Sequence, residues 1–201
     1  MTRRIFSFDS PDKFIVGAIG QPGQRTFYLQ AAKGAQVVSV ALEKAQVAVL
    51  AERLASLLLA LRQGGVSIEE DVTSATPQLD QPVVEQFRVG TLTLGWDGDR
   101  ERVVIEAREI TDEDEEDDDS EENDDEAAEE PDEPEEMLAL GATDLEDGPD
   151  LVRVQLDPTA ALAFASGAVA VIQAGRPPCP QCGAPLDPIG HFCPRRNGYQ
   201  N

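Results

Sequence analysis

An acidic block near the middle of the chain limits which residues can form one folded core. Residues 111–150 contain 23 of the 39 Asp and Glu residues and no Lys or Arg. Such a run has little apolar surface to bury and its charges repel one another, so we expect residues 111–149 to be disordered. The rest of the chain has 16 acidic and 16 basic residues, which predicts a body of zero formal charge rather than an evenly acidic protein.

The pattern of residues 1–65 predicts four strands followed by one helix. The strands are expected at 3–8, 13–20, 25–32 and 36–42, separated by turns containing Gly and Pro. The helix is expected over 43–63, where apolar residues recur at helical spacing. That apolar face consists of Val47, Leu50, Leu54, Leu57, Leu58 and Leu61. Gly64 and Gly65 end the helix, because glycine accepts the backbone conformations that helix ends require.

The same order of elements recurs in residues 80–175. Residues 87–90 (FRVG) resemble residues 14–17 (FIVG), and the alternating apolar residues of 152–156 resemble those of 38–42. Asp157 and Pro158 then suit the N-cap and first position of a second helix, which Gly175 closes. We interpret this as an internal duplication, with repeat one at 1–65 and repeat two at 80–175. The alternative is coincidence between two ordinary strand-and-helix units.

The offsets between matched residues place the acidic block inside repeat two. Ala31 and Ala107 are 76 positions apart, whereas Val38 and Val152 are 114 apart. The difference is about the length of the acidic block, which indicates an insertion in a hairpin loop of one body formed by 1–110 and 150–175. The predicted fold class is α+β, an antiparallel sheet packed by two helices, followed by a small zinc knuckle at 176–201.

The C-terminal segment has the ligand spacing of a structural zinc site. Cys179 and Cys182 form a Cys-x-x-Cys pair followed by Gly, and His191 and Cys193 lie two positions apart, so both face one side of an extended segment. These four are all the cysteines and the only histidine of the chain. Zn²⁺ takes four such ligands in a tetrahedron, and four protein ligands leave no open position for catalysis. The sequence therefore predicts a closed, structural Zn²⁺ site.

Other chemistries remain open for these residues. Cys179 and Cys182 could form a disulfide or stay as free thiols. A thioredoxin-like redox motif is disfavoured, because such a motif begins a helix and prolines at 177, 178, 180, 185 and 188 exclude a helix here. With zinc bound, the metal would supply the folding energy of the segment. We expect Leu186, Ile189 and Phe192 to pack the knuckle onto the second helix.

The residue inventory favours a binding protein over an enzyme. Zinc would occupy every Cys and the only His, and no phosphate-binding or dinucleotide-binding fingerprint occurs. We therefore predict a non-enzymatic zinc-binding interaction or adaptor protein with a protein partner. One alternative is a nucleic-acid-binding protein that uses Arg195, Arg196 and Tyr199. Another is an enzyme with a carboxylate-based site, for which Arg25, Glu43 and Lys44 are the polar candidates.

Several stretches resemble one known family. They are RTFYLQ at 25–30, ALEK at 41–44, FRVGTL at 87–92, and the ending from AGRPPC at 174–179 to Gly198 and Tyr199. They resemble the actinobacterial family of uncharacterised proteins called domain of unknown function 3090. The resemblance implies a bacterial cytosolic protein without an established activity. The ending also resembles half of a zinc ribbon, although Arg196 stands where a ribbon would have its fourth Cys.

Neither a targeting segment nor a membrane span is evident in the sequence. The longest apolar stretch, 45–61, is interrupted by Gln46, Glu52 and Arg53, so it does not suit the interior of a bilayer. We therefore expect a cytoplasmic protein with no membrane partner. The sequence leaves the oligomeric state open.

Overall fold

The computed structural model describes residues 3–21, 23–69, 78–111 and 148–175. They form one seven-stranded mixed sheet and two helices, so the predicted α+β class is confirmed. The strands are β1 (Ile5–Asp9), β2 (Lys13–Ile19), β3 (Thr26–Lys33), β4 (Gln36–Leu42), β5 (Glu85–Asp97), β6 (Arg102–Glu109) and β7 (Leu151–Leu156). The helices are α1 (Lys44–Gln63) and α2 (Pro158–Gln173). The predicted insertion at 111–149 lies outside these residues except at its ends, and the predicted knuckle lies outside them entirely.

The sheet is mixed, so the prediction of an antiparallel sheet is wrong. The strand order is β1-β7-β6-β5-β4-β3-β2. The strands β2, β3 and β4 form one antiparallel group, and β5, β6 and β7 form another. However, β4 pairs with β5 in parallel and β1 pairs with β7 in parallel. The first of these pairs is joined through α1, the kind of crossover that parallel neighbours require.

The two edge strands of the sheet are consecutive in sequence, which means that the sheet is rolled. If it were flat, β1 and β2 would lie about 29 Å apart, since neighbouring strands are spaced by about 4.8 Å. Yet the four steps from Asp9 to Lys13 span at most about 14 Å. The connection is held to the β3–β4 turn, because Lys33 donates to the Asp9 carbonyl and the Gly34 N–H donates to Asp12 Oδ2 at 2.7 Å.

Both helices pack onto the inner face of this curved sheet. The alternation of β3 places Phe27, Leu29 and Ala31 in the core. The ring of Phe14 on β2 stacks on that of Phe164 on α2, with centroids 4.4 Å apart. The apolar face predicted for α1 is confirmed: Val47, Leu50, Leu54 and Leu58 are buried, and Leu57 and Leu61 are half-buried.

The helix starts follow from their capping residues. Asp157 precedes α2, and its carboxylate accepts from the Ala160 N–H at 2.8 Å, as predicted for an N-cap. Glu43 precedes α1, and its own N–H donates to Gln46 Oε1 at 2.9 Å. The same Gln46 amide donates to the carbonyls of Val89 and Gly90 at 3.0 and 3.1 Å. One side chain therefore fixes the start of α1 against β5.

Candidate functional site

The predicted zinc ligands Cys179, Cys182, His191 and Cys193 lie outside the described residues, and so do the predicted contacts Arg195, Arg196 and Tyr199. The four predicted zinc ligands are all the cysteines and the only histidine of the chain. Within the four described ranges, no group of three or more His, Cys, Asp or Glu residues is arranged to hold a metal ion. What the structure does define is the surface from which the ligand-bearing segment leaves the body.

That exit point is the end of α2. The last helical residue is Gln173, and the backbone N–H of Ala174 still donates to the Ala170 carbonyl at 2.9 Å. The guanidinium of Arg25, the residue just before β3, donates to the Ala174 carbonyl. A cation at a helix C-terminus is favourable because the last carbonyls carry partial negative charge. The segment that begins at residue 176 therefore leaves from a fixed position beside the β2–β3 turn.

The polar candidates at the start of α1 have separate partners. Glu43 pairs with Arg88 of β5 rather than with Lys44, and both side chains of that pair are more than half exposed. Arg25 is bound at the end of α2, as described above. Among its described residues, the structure therefore shows no contact that brings Arg25, Glu43 and Lys44 together in one site.

A buried polar pair lies on the face of β3 and β4 opposite the core. Gln30 donates to Ser39 Oγ at 3.0 Å and to the Asp80 carbonyl at 3.3 Å, and its Oε1 accepts from the Asp80 N–H at 2.7 Å. The backbone of residues 78–80 thus lies across this face and is fixed there by a side-chain amide. Lys13 adds an ion pair to the Asp80 carboxylate at 2.8 Å.

A second buried polar pair lies at the matching position of β6 and β7. Glu106 is only 3% exposed. It accepts from Arg153 Nε at 2.7 Å and from Arg108 Nη2 at 3.2 Å. Ion pairing offsets the large cost of burying a carboxylate. The sequence prediction did not include Gln30 or Glu106, although both obey the offset of 76 that relates Ala31 to Ala107.

The body also holds the two ends of the acidic block at 111–150. Asp150 accepts from the Arg4 N–H at 2.8 Å and from Arg4 Nε at 2.7 Å. The hydrogen bonds and charge of Asp150 raise the pKa of Arg4 above its ordinary value. On the other side, the Glu109 N–H donates to the Asp150 carbonyl at 2.9 Å, and the Ile110 N–H donates to the Arg88 carbonyl at 2.9 Å. The two ends of the acidic block therefore lie beside each other, and both are hydrogen-bonded to the body.

The only tyrosine among the described residues lies beside a carboxylate. The Tyr28 hydroxyl on β3 donates to Glu85 Oε2 at 3.3 Å. Burial raises the pKa of Tyr28 above its ordinary value of 10.0, and the negative charge and hydrogen bond of Glu85 raise it further. A phenol with a raised pKa is neutral at physiological pH, so Tyr28 acts there as a hydrogen-bond donor and not as a base.

Comparison with known protein families identifies the family of this chain. The family model described as "Protein of unknown function (DUF3090)" matches residues 6–193. The chain belongs to the DUF3090 family. Neither a curated protein nor a solved structure matches it significantly. The DUF3090 match runs to residue 193, so it includes all four predicted zinc ligands and ends before Arg195, Arg196 and Tyr199.

Neither helix of this DUF3090 chain meets the length and hydropathy required to cross a bilayer, as judged over the described residues.

Proposed function

We propose that this DUF3090 protein is a non-enzymatic, zinc-binding interaction protein, in which the α+β body presents a C-terminal segment closed around structural Zn²⁺. One observation carries the proposal: all three cysteines and the only histidine lie within the 15 residues from Cys179 to Cys193. Thiolates and imidazole are the ligands that zinc prefers, and a closed set of four suits a structural role. The family match through residue 193 supports treating this segment as an integral part of the protein.

The state of the buried charges in the body favours binding over catalysis. Glu106 and Asp150 are the charged residues among the buried groups that the structure describes. Each is already paired with a guanidinium, Glu106 with Arg153 and Arg108 and Asp150 with Arg4. The oxygens of both carboxylates are occupied by these ion pairs, which hold strands and chain ends of the body together. Both groups are better explained as structural.

The proposed body arises by duplication of one strand-and-helix unit. Support comes from the order of elements, since three antiparallel strands precede α1 and three precede α2. The pairs Gln30–Ser39 and Glu106–Arg153 also occupy directly opposed positions in their strand pairs. The offset of 76 relates Gln30 to Glu106, and the offset of 114 relates Ser39 to Arg153. The duplicated body, residues 1–110 and 150–175, has 16 acidic and 13 basic residues. It lacks the basic excess that nucleic-acid binders usually carry, so it suits a protein partner in the cytoplasm better than a nucleic acid.

The test is co-purification of the full chain from its native cytosol, with zinc measured on the same sample. The matched variant is His191→Ala, which removes one ligand and leaves the body unchanged. We expect zinc and a reproducible protein partner with the native chain, and the loss of both with the variant. Recovery of the same partner with a zinc-free variant would contradict the proposal. Nucleic acid that dissociates as salt is raised would favour the alternative in which Arg195 and Arg196 bind phosphates.

A further inference from the structure

The helix α2 exposes a face that lacks charge. None of its residues from Pro158 to Gln173 is Asp, Glu, Lys or Arg. Its buried side includes Phe164, which stacks on Phe14, yet its other side is also mostly apolar. That outward side comprises Leu162, Ala163, Ser166, Val169, Ala170 and Gln173, which recur at helical spacing and are half-buried or exposed. Val169 is 41% exposed.

The neighbouring helix shows that this composition is particular to α2. The outward side of α1 carries four exposed charged residues, Lys44, Glu52, Arg53 and Arg62. That is the ordinary pattern for a helix with one side in water, whereas a helix that is apolar on all sides is usually covered. The outward face of α2 therefore has the composition of a surface that packs against another segment.

Three segments longer than two residues lie outside the described residues, and they differ in how well they suit this face. Residues 112–147 contain 22 acidic residues, whose charges are costly to remove from water at an apolar surface. Residues 70–77 contain two acids and no aromatic residue. Residues 176–193 contain one acid, Asp187, together with the large apolar residues Leu186, Ile189 and Phe192.

The point at which residues 176–193 leave the body also favours this segment as the one that covers the outward face of α2. It starts directly after α2, at a point fixed by the hydrogen bond from Arg25 to the Ala174 carbonyl. The outward face from Leu162 to Gln173 is about 16 Å long, at 1.5 Å per helical residue. The ten steps from residue 176 to residue 186 can span about 33 Å, so the segment can turn back and reach the whole face.

We propose that residues 176–193 fold back onto the outward face of α2, with Leu186, Ile189 and Phe192 against Leu162, Val169 and Ala170. This inference rests on the proposed function, since zinc fixes the shape of the segment that docks. The face of α2 supplies the apolar surface that this short segment lacks. Docking and zinc binding are then coupled, and each strengthens the other.

The test uses the full chain with Lys placed on α2 or, as a control, on α1. Val169→Lys and Ser166→Lys introduce a charge on the proposed docking face, whereas Leu59→Lys changes a position on α1 that is 58% exposed. All three positions are accessible, and Lys is a good helix former, so the body should keep its thermal midpoint. The readouts are amide hydrogen exchange over residues 176–193 and zinc affinity by competition with a chelator.

We expect slow exchange over 176–193 in the native chain and in Leu59→Lys, and faster exchange in both α2 variants. We also expect about tenfold weaker zinc binding in the α2 variants, within the usual range for two coupled sites. If amide hydrogen exchange over residues 176–193 is equally fast in the native chain and all three variants, or equally slow in all four, the docking is overturned even if zinc binds normally. A native chain that binds no zinc but shows exchange sensitive to Val169→Lys would overturn the proposed function and retain the docking. An α2 variant that changes only the oligomeric state would identify a second copy as the occupant and overturn the proposal.

Discussion

At the scale of single residues, the buried polar side chains of the body are matched with specific partners. Glu106 shows this most clearly, because a carboxylate that is 3% exposed lies between two guanidiniums. Such a pair stabilises little relative to an apolar replacement of equal shape, but removing one partner from a buried ion pair is strongly destabilising. The cluster therefore specifies how β6 and β7 align, since only this register places Arg153 opposite Glu106.

Glu106→Ala should reduce the free energy of unfolding by about 3–5 kcal/mol, because both guanidiniums lose their carboxylate partner. Glu106→Gln should cost less, since it preserves the side-chain shape and can still accept hydrogen bonds. Urea unfolding monitored by Trp96 fluorescence measures both values. Glu52→Ala, at an exposed position on α1, is the control and should change stability by less than about 0.5 kcal/mol. An equal effect of Glu106→Ala and Glu52→Ala would show that the cluster has no structural role.

Tyr28 should make stability depend on pH in the alkaline range. Its pKa is raised in the folded state, by burial first and then by Glu85, so the folded chain retains the phenolic proton longer than the unfolded chain. Its contribution is complete below the unfolded pKa of about 10 and is lost as the pH rises through the folded pKa. Thermal midpoints of the native chain and Tyr28→Phe should therefore diverge above about pH 9.5, with the native chain falling faster. Parallel curves would contradict this assignment.

At the scale of elements, residues 78–80 pack closely against strands β2 and β3. Gly17 on β2 lies directly beneath Leu79, and a Cβ at position 17 would come within 2.4 Å of Leu79 Cγ. Gln30 fixes the same segment through the Asp80 backbone. A glycine is therefore required here for close approach between chain segments, and not for turn geometry.

Gly17→Ala should cost about 1–3 kcal/mol of stability, because Leu79 must move away from the sheet. In a Leu79→Ala background the same change should cost far less, since the clash is gone. A double-mutant cycle by urea denaturation measures this coupling energy. Additive effects of the two changes would mean that Leu79 does not pack on Gly17 in solution.

Local patterns predicted the elements well but not how distant strands pair. The strand at 36–42, the apolar face of α1 and the Asp157–Pro158 start of α2 all follow from short-range chemistry, and the structure has them. The parallel pairs β4–β5 and β1–β7 depend on contacts between distant residues, which alternation along a single strand does not encode. The long strand β5 shows the difficulty, since its start pairs with β4 and the remainder pairs with β6.

For the candidate functional site, the sequence predicted a set of metal ligands but not the buried polar pairs of the body. The spacing of cysteines and histidine names a ligand set without any structure. By contrast, Gln30 and Glu106 were missed because a buried polar residue has no local signature, and only the repeat offset relates them. The bond from Arg25 to Ala174 joins residues 149 positions apart, so no sequence window contains both partners.

At the scale of the whole molecule, a rolled sheet and two helices form a body to which two different segments are attached. The end of the acidic block is anchored through Asp150 and Arg4. The segment that carries the predicted zinc ligands follows the end of α2, where Arg25 binds the Ala174 carbonyl. The body is thus described best as a scaffold that fixes where each segment begins. Its own buried charges are used in holding the sheet together.

The central claim is that one Zn²⁺ ion binds Cys179, Cys182, His191 and Cys193. Native mass spectrometry of the full chain, purified under reducing conditions, measures this directly. The account predicts one zinc ion per chain, and no zinc in Cys182→Ser or His191→Ala under the same conditions. A native chain that carries no metal, or one that is two mass units lighter because Cys179 and Cys182 form a disulfide, would contradict it.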